Sequence, residues 1–257
     1  MKKHFSLLVA CAAFALVAAA CGDSDDPGTA AIGGSVSNDP PVNFGTTYEG
    51  GQFHLGPVDY EETVWRNACD PGASKYAPAV RAAQGELLAG LWDGIPNVAK
   101  YCDACIRITT AKGKTALLRV VTYGATTENS IDVSPAAYDI LNSDEYPRTM
   151  SWQFAKCEAT GNIFYEFQVK ASEYWSSLWI RNARVPLEKV EVKSQKHPDF
   201  VELRRASDGS LNDDKGFGVG AFTFRLTGID GSVLTETFEW PSGGVAGVTL
   251  NGTANFK

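Results

Sequence analysis

The sequence predicts an all-β protein in two parts, a β-barrel with small helices followed by a β-sandwich. Three observations predict it. From about Val42 the chain runs in short strand-like segments punctuated by Gly and Pro. Only two short stretches carry helix signals. After DEYPRTMSW, residues 144–152, the pattern shifts to closely spaced alternating segments. Roughly a hundred residues of that kind suit a sandwich.

In the first part, KGKTALLRVVTYG (112–124) reads as a turn leading into a strand. SPAAYDIL (134–141) reads as a helix start, because Ser134 can cap and Pro135 fits the first turn. APAVRAAQGELLAGL (77–91) is a second helix candidate, broken by Gly85. In the second part, NIFYEFQVK alternates, with Ile163, Tyr165, Phe167 and Val169 on one face. LEKVEVKS, FVELRR, GAFTFRLTGIDG and SVLTETFEW read as further strands, and GIDG (228–231) as a hairpin turn. We place the barrel at 42–150 and the sandwich at 151–257, packed against each other without a long linker.

EYWSSLWIRN (173–182) sits among these strands and is followed by Pro186, so it reads as a strand. Leu178 and Ile180 then face the sandwich core, while Trp175, Ser177, Trp179 and Arg181 face away. Ser and Arg mark that face as wet, which exposes both indoles; the alternative is a cover supplied by a loop or by the barrel. Exposed large aromatics usually mark binding. An indole is flat and matches the C–H face of a β-linked glucose.

The first residues are not part of the fold. MKKHFSLLVACAAFALVAAAC (1–21) has a basic start, an apolar run and small residues, which is a secretory signal. The Gly/Ser/Asp/Pro-rich stretch at 22–41 reads as an unfolded tether. A cysteine after small residues resembles the lipobox of bacterial lipoproteins, which implies lipidation at Cys21 and a place at the cell envelope. A plain secreted protein cut near Cys21 is the alternative.

Formal charge is −7, and losing Lys2 and Lys3 leaves 21 basic against 30 acidic residues, net −9. So acidic a chain is not built for nucleic acid. Four cysteines remain after the signal: Cys69, Cys102, Cys105 and Cys157. Export implies two disulfides, with three connectivities open. CDAC (102–105) as half of a zinc site lacks a credible second half, so no metal or cofactor is implied.

GGQFHLGP, CDACIRITTAKGKTALLRVVTYG, SIDVSPAAYDIL, WQFAKCEATGNIFYEFQ and YWSSLWIRNARVPLEKVEVKS follow one another in the order found in bacterial expansins. The resemblance spans roughly residues 42–250. It implies a six-stranded double-psi β-barrel followed by an immunoglobulin-like carbohydrate-binding β-sandwich. It also implies a monomer that loosens wall polysaccharide without established hydrolysis.

The family's groove aspartate falls on Asp132 of IDVSP, for which the plainer role is a helix cap before Ser134. The groove threonine falls on Thr46 or Thr47 and the groove tyrosine on Tyr123. The second groove acid falls on Thr122, a departure that removes one of the two carboxyl groups glycoside hydrolysis needs. The paired platform aromatics fall on Tyr174 and Trp175. A third platform aromatic, expected near Ser207 or Asp208, is missing, and Trp179 is its candidate replacement.

The leading expectation is therefore a non-hydrolytic protein that binds and loosens an insoluble polysaccharide such as cellulose, xylan or peptidoglycan. It would touch a membrane only through the lipid anchor. The alternatives are a weak lytic enzyme on glucan or peptidoglycan, or an envelope adhesin.

Overall fold

Strands β1 (Asn43–Leu55), β2 (Leu88–Trp92), β3 (Cys105–Thr110), β4 (Thr115–Gly124), β5 (Ile131–Val133) and β6 (Thr149–Ala155) close into a barrel in the order β1-β5-β2-β4-β3-β6. This arrangement comes from a computed structural model that describes residues 43–61, 67–73, 77–125 and 127–257. Cys21, the signal and the tether lie outside the described residues.

Alternation builds the barrel. On β6, Met150, Trp152 and Phe154 point inward while Ser151 and Gln153 are partly exposed. β1 bends to serve two neighbours, pairing antiparallel with β6 in its first part and parallel with β5 at its end. Gly51 lies where it bends. A Cβ there would stand 2.1 Å from the Asn129 carbonyl oxygen, so only glycine lets the loop before β5 approach the strand. Because β6 runs to Ala155, the barrel extends past the expected boundary at residue 150.

Both helix signals are realised, one only in part. Helix α2 (Pro135–Leu141) starts at Ser134, whose Oγ accepts from Ala137 N at 3.4 Å. Helix α1 (Ala77–Gln84) stops where Gly85 takes φ +64°. The last part of that predicted helix, Leu88–Leu91, instead belongs to β2 (Leu88–Trp92), held between β5 and β4. Two neighbouring strands outweigh the helical pattern there, since Leu88 to Leu91 are fully enclosed.

The second part is a sandwich. One sheet holds β10 (Val201–Glu202), β9 (Leu187–Lys193), β13 (Phe222–Gly228) and β14 (Val233–Phe238), in that order. The other holds β11 (Arg204–Arg205), β12 (Leu211–Asp213), β8 (Ser176–Arg181), β7 (Phe164–Phe167) and β15 (Thr249–Asn251). The chain changes sheet at buried Leu203, between β10 and β11. Aromatics fill the space between the sheets, with Tyr165 of one stacked on Phe224 of the other at 4.9 Å. The Tyr165 hydroxyl donates to Glu236 at 2.6 Å. The same carboxylate accepts from Thr253 and Ala254, which ties the C-terminal segment to the core.

Barrel and sandwich are joined by buried charge. Asp103 accepts from Arg119 at 3.0 Å and from the backbone N–H of Asn182 at 2.8 Å. Arg181, 2 % exposed, donates to Glu166 at 3.3 Å and to the carbonyls of Cys69 and Asp70 at 3.3 and 3.2 Å. Asn182 takes φ +64°, a conformation asparagine tolerates, and its amide donates to the carbonyls of Thr160 and Asn162.

The cysteines pair as Cys69–Cys102 and Cys105–Cys157. The first fixes the segment before α1 to the barrel, and the second joins β3 to the chain leaving β6.

Removing Arg181 takes one partner from buried Glu166 and the donors from the Cys69 and Asp70 carbonyls, so Arg181→Ala is expected to cost about 3–5 kcal/mol in urea unfolding. A loss below about 1 kcal/mol would show that this junction carries little stability.

Candidate functional site

The β ladders line up one row of residues across four strands on the outside of the barrel. His54 of β1 faces Asp132 of β5, Asp132 faces Gly90 of β2, and Gly90 faces Thr122 of β4. Inward-pointing Ile131 and Val133 flank Asp132, so its carboxylate must point outward. Two glycines keep the backbone close around it. A Cβ on Gly56 would lie 2.9 Å from Asp132 Cβ, and one on Gly90 would lie 3.6 Å from it and 2.9 Å from Thr122. Burial raises the Asp132 pKa above the ordinary carboxylate value, and nearby His54 partly opposes the shift. Asp132 is not the helix cap; Ser134 performs that role.

At the β4 end the row is closed. Thr122 is 7 % exposed, and its Oγ1 accepts from Ala68 N at 3.0 Å. The strap Asn67–Pro71 therefore covers it, pinned by Cys69–Cys102 and held to the sandwich by Arg181. Thr122, placed in the groove by the resemblance, is thus buried under the strap with its hydroxyl oxygen accepting from a backbone amide. Tyr123 is likewise engaged. Its phenol donates to the Ser207 carbonyl of the sandwich. Burial first, then Asp208 and Asp93, raises its pKa. Tyr123 therefore bridges the two parts rather than offering a free hydroxyl to the groove.

Thr46 and Thr47 are exposed on the part of β1 that follows β6, where Thr47 donates to Gln153 at 2.8 Å. His54 and Asp132 meet at the other end of β1, so neither threonine shares their row.

On the sandwich, Tyr174 is 68 % exposed and Trp175 is partly exposed beside it. A tight Ser172–Trp175 bridge presents them, with Ser172 N donating to Trp175 O at 2.7 Å. Gly216 backs this turn at φ +67°, where a Cβ would come within 2.3 Å of the Glu173 carbonyl oxygen. The Lys196 ammonium lies 5.8 Å from the Tyr174 ring centre.

Trp179 is not part of this surface. It is 8 % exposed, and its Nε1 donates to the Asp208 carbonyl at 3.0 Å. Ser177 and Arg181 on the same face are buried too. The face read as wet is covered, near Trp179 by the loop at Asp208 and near Arg181 by the barrel strap. Asp208, where the third aromatic was expected, thus serves through its backbone to cap Trp179. Among the described residues, no cluster of His, Cys, Asp and Glu is placed to hold a metal. The residue missed from the sequence is His54. The signal was in GGQFHLGP, where a strand that turns Phe53 inward must turn His54 outward.

A closed six-stranded barrel followed by an antiparallel sandwich is a fold shared with solved expansin structures. The chain is 26% identical over 194 residues to Expansin-YoaJ of Bacillus subtilis, covering 75% of this chain and 74% of that protein. It is 25% identical over 133 residues to Expansin-like protein 3 of Dictyostelium discoideum, covering 47% of this chain and 38% of that one. The crystal structure of apo expansin from Clavibacter michiganensis matches with a TM-score of 0.62 at 17% identity, covering 82% of this chain and 97% of that one. A point mutant of the same expansin in complex with cellohexaose matches with a TM-score of 0.62 at 16% identity, covering 82% and 98%. No protein-family model matches the chain. In sequence and in fold, the chain resembles the bacterial expansins.

Two contrasts test the site. Trp175→Ala is expected to weaken binding to insoluble glucan by about 1–3 kcal/mol. Trp179→Phe, which removes the bond to Asp208 and shrinks the ring packed under Arg181, is expected to lower thermal stability and leave binding within about twofold. Equal binding losses in pull-down would return Trp179 to the surface. Asp132 gives the second contrast. A carboxyl whose pKa is raised by folding destabilises the fold once ionised, and that penalty is absent where folded and unfolded forms are both protonated. Asp132→Asn is therefore expected to raise Tm near pH 7, with the difference closing below about pH 4. A lower Tm for the Asn variant at pH 7 would mean the carboxylate is held by attraction.

Proposed function

We propose that this is an exported, expansin-like protein that binds cellulose-type glucan and loosens its contacts without hydrolysing it. Tyr174 and Trp175 hold the polymer by stacking on the apolar faces of its rings. Asp132 grips a strand by accepting hydrogen bonds from sugar hydroxyls. The leader and Cys21 would place the protein at a bacterial cell envelope, on a lipid anchor and a tether, acting as a monomer. The complex of a Clavibacter michiganensis expansin with cellohexaose supports the choice of a β-linked glucan.

The observation that carries the reading is the row across the barrel groove. Among its four residues there is one carboxyl group, Asp132, and Thr122 at the far end is sealed under the strap. Inverting hydrolysis needs a carboxylic acid and a carboxylate on opposite sides of the scissile bond. A threonine hydroxyl that accepts a backbone N–H cannot replace either. Binding energy can still separate a glucan from its neighbours, because that step breaks no covalent bond.

The test pairs two assays on wild type and Asp132→Asn: mechanical weakening of a cellulosic sheet, and release of soluble reducing sugar. Wild type is expected to weaken the sheet without sustained sugar release. The Asn variant is expected to lose most of the weakening while keeping its affinity for insoluble polymer. Steady sugar release by wild type that stops in Asp132→Asn would make the protein a lytic enzyme with a single acid. Binding without weakening in wild type would make it an adhesin.

A further inference from the structure

His54 is the one group on the groove row that is polar, partly exposed and assigned no role. It faces Asp132 directly in the parallel β1–β5 ladder. Side chains facing each other in adjacent strands stand about 4.8 Å apart at their backbones and share a side of the sheet. Both are half-buried; Asp132 points outward between inward-pointing Ile131 and Val133, and His54, which faces it across the ladder, follows inward-pointing Phe53. Among the described residues, neither side chain makes a hydrogen bond, to the other or to anything else. Half-buried polar groups in a folded protein normally find partners. Here two such groups, one a carboxylate and one an imidazole, stand side by side with their polar atoms unused.

The surroundings show which way a ligand lies. Toward β4 the row runs over Gly90, which has no side chain, and then meets Thr122 under the strap. The strap blocks that end, so a sugar ring seated on Asp132 has its next polar contact on the opposite side, at His54. Gly56 and Gly90 bring the backbone close to Asp132 on two sides, and both members of the pair are half-buried rather than projecting.

We propose that His54 is the second sugar-contacting residue of the groove, and that it forms with Asp132 a donor–acceptor pair for two neighbouring hydroxyls of one pyranose ring. One hydroxyl donates to the Asp132 carboxylate. Its neighbour accepts from the imidazole N–H, or donates to the unprotonated ring nitrogen. Two adjacent contacts of different kind fix the ring's orientation as well as its position, which a lone carboxylate cannot do. The pair selects equatorial neighbouring hydroxyls, as in glucose and xylose, over rings with an axial hydroxyl at the gripped position. No bond is made or broken. The inference rests on the polysaccharide-binding reading above, since it assigns a residue to that groove.

The experiment titrates the intact secreted protein with cellohexaose, following the histidine side-chain and tryptophan indole signals by 1H–15N NMR. Signals that vanish in His54→Gln identify His54 and separate it from His197. The inference expects the His54 signals to move with the same saturation curve as the Trp175 indole. His54→Leu is expected to reduce sheet weakening about three- to tenfold, the range for one lost neutral hydrogen bond. His54→Gln, which keeps an amide donor, should recover part of that. Affinity for insoluble cellulose should stay within about twofold in both, because Tyr174 and Trp175 supply it. Thermal melts confirm that both variants fold. If the Trp175 indole moves while His54 stays fixed, His54 is overturned as a contact and the binding reading survives. If neither moves at saturating cellohexaose, the binding reading itself falls and the inference with it.

Discussion

A buried guanidinium holds this molecule together. Arg181 sits 2 % exposed on the sandwich, and an unpaired charge at such a depth would be prohibitive. Its partners come from both parts of the protein: Glu166 on the neighbouring sandwich strand, and the carbonyls of Cys69 and Asp70 on the barrel strap. The carbonyls can be met only if the strap lies across the junction. Asp103 repeats the arrangement from the other side, as a barrel carboxylate satisfied by Arg119 and by the Asn182 amide of the sandwich. Barrel and sandwich are therefore fixed to each other by groups that have no other good solvent. Moving either part would expose charges that the other now satisfies.

The form of the candidate site follows from that junction. With the strap fixed between Thr122 and Arg181, the groove is closed at β4 and its usable polar groups are Asp132 and His54. With Ser207 and Asp208 drawn in by Tyr123 and Trp179, the sandwich surface is left with Tyr174 and Trp175. On the proposed reading, binding by the aromatics of one part and an orienting grip from the other would let the protein displace a polymer rather than cut it. The raised pKa of Asp132 marks a carboxylate kept partly out of water at some cost to stability, as functional groups commonly are.

What could be read from the sequence was local. Ser134 and Pro135 announce the start of α2, alternation announces β6 and β7, and Gly85 announces the end of α1, because each signal lies within a few residues of its effect. The expansin order of motifs supplied the barrel and the sandwich. What could not be read depended on distant partners. Ser177, Trp179 and Arg181 alternate with core residues as a solvent face would. They are buried because a loop some thirty residues later, and a barrel strap about a hundred residues earlier, close over them. Leu88–Trp92 reads as helix in isolation and becomes a strand because two neighbours need its edges. His54 was legible in principle, since its outward direction follows from Phe53, but its partner across the ladder was not.

The central claim is that one glucan chain lies on the Tyr174–Trp175 surface and against the Asp132–His54 pair without being cut. A crystal structure of the wild-type protein soaked with cellohexaose tests it most directly. The account predicts an intact oligosaccharide, with rings stacked on Tyr174 and Trp175 and hydrogen-bonded to Asp132 and His54, and with Trp179 still covered at Asp208. Sugar seated against an uncovered Trp179, or shortened fragments in the groove, would contradict it.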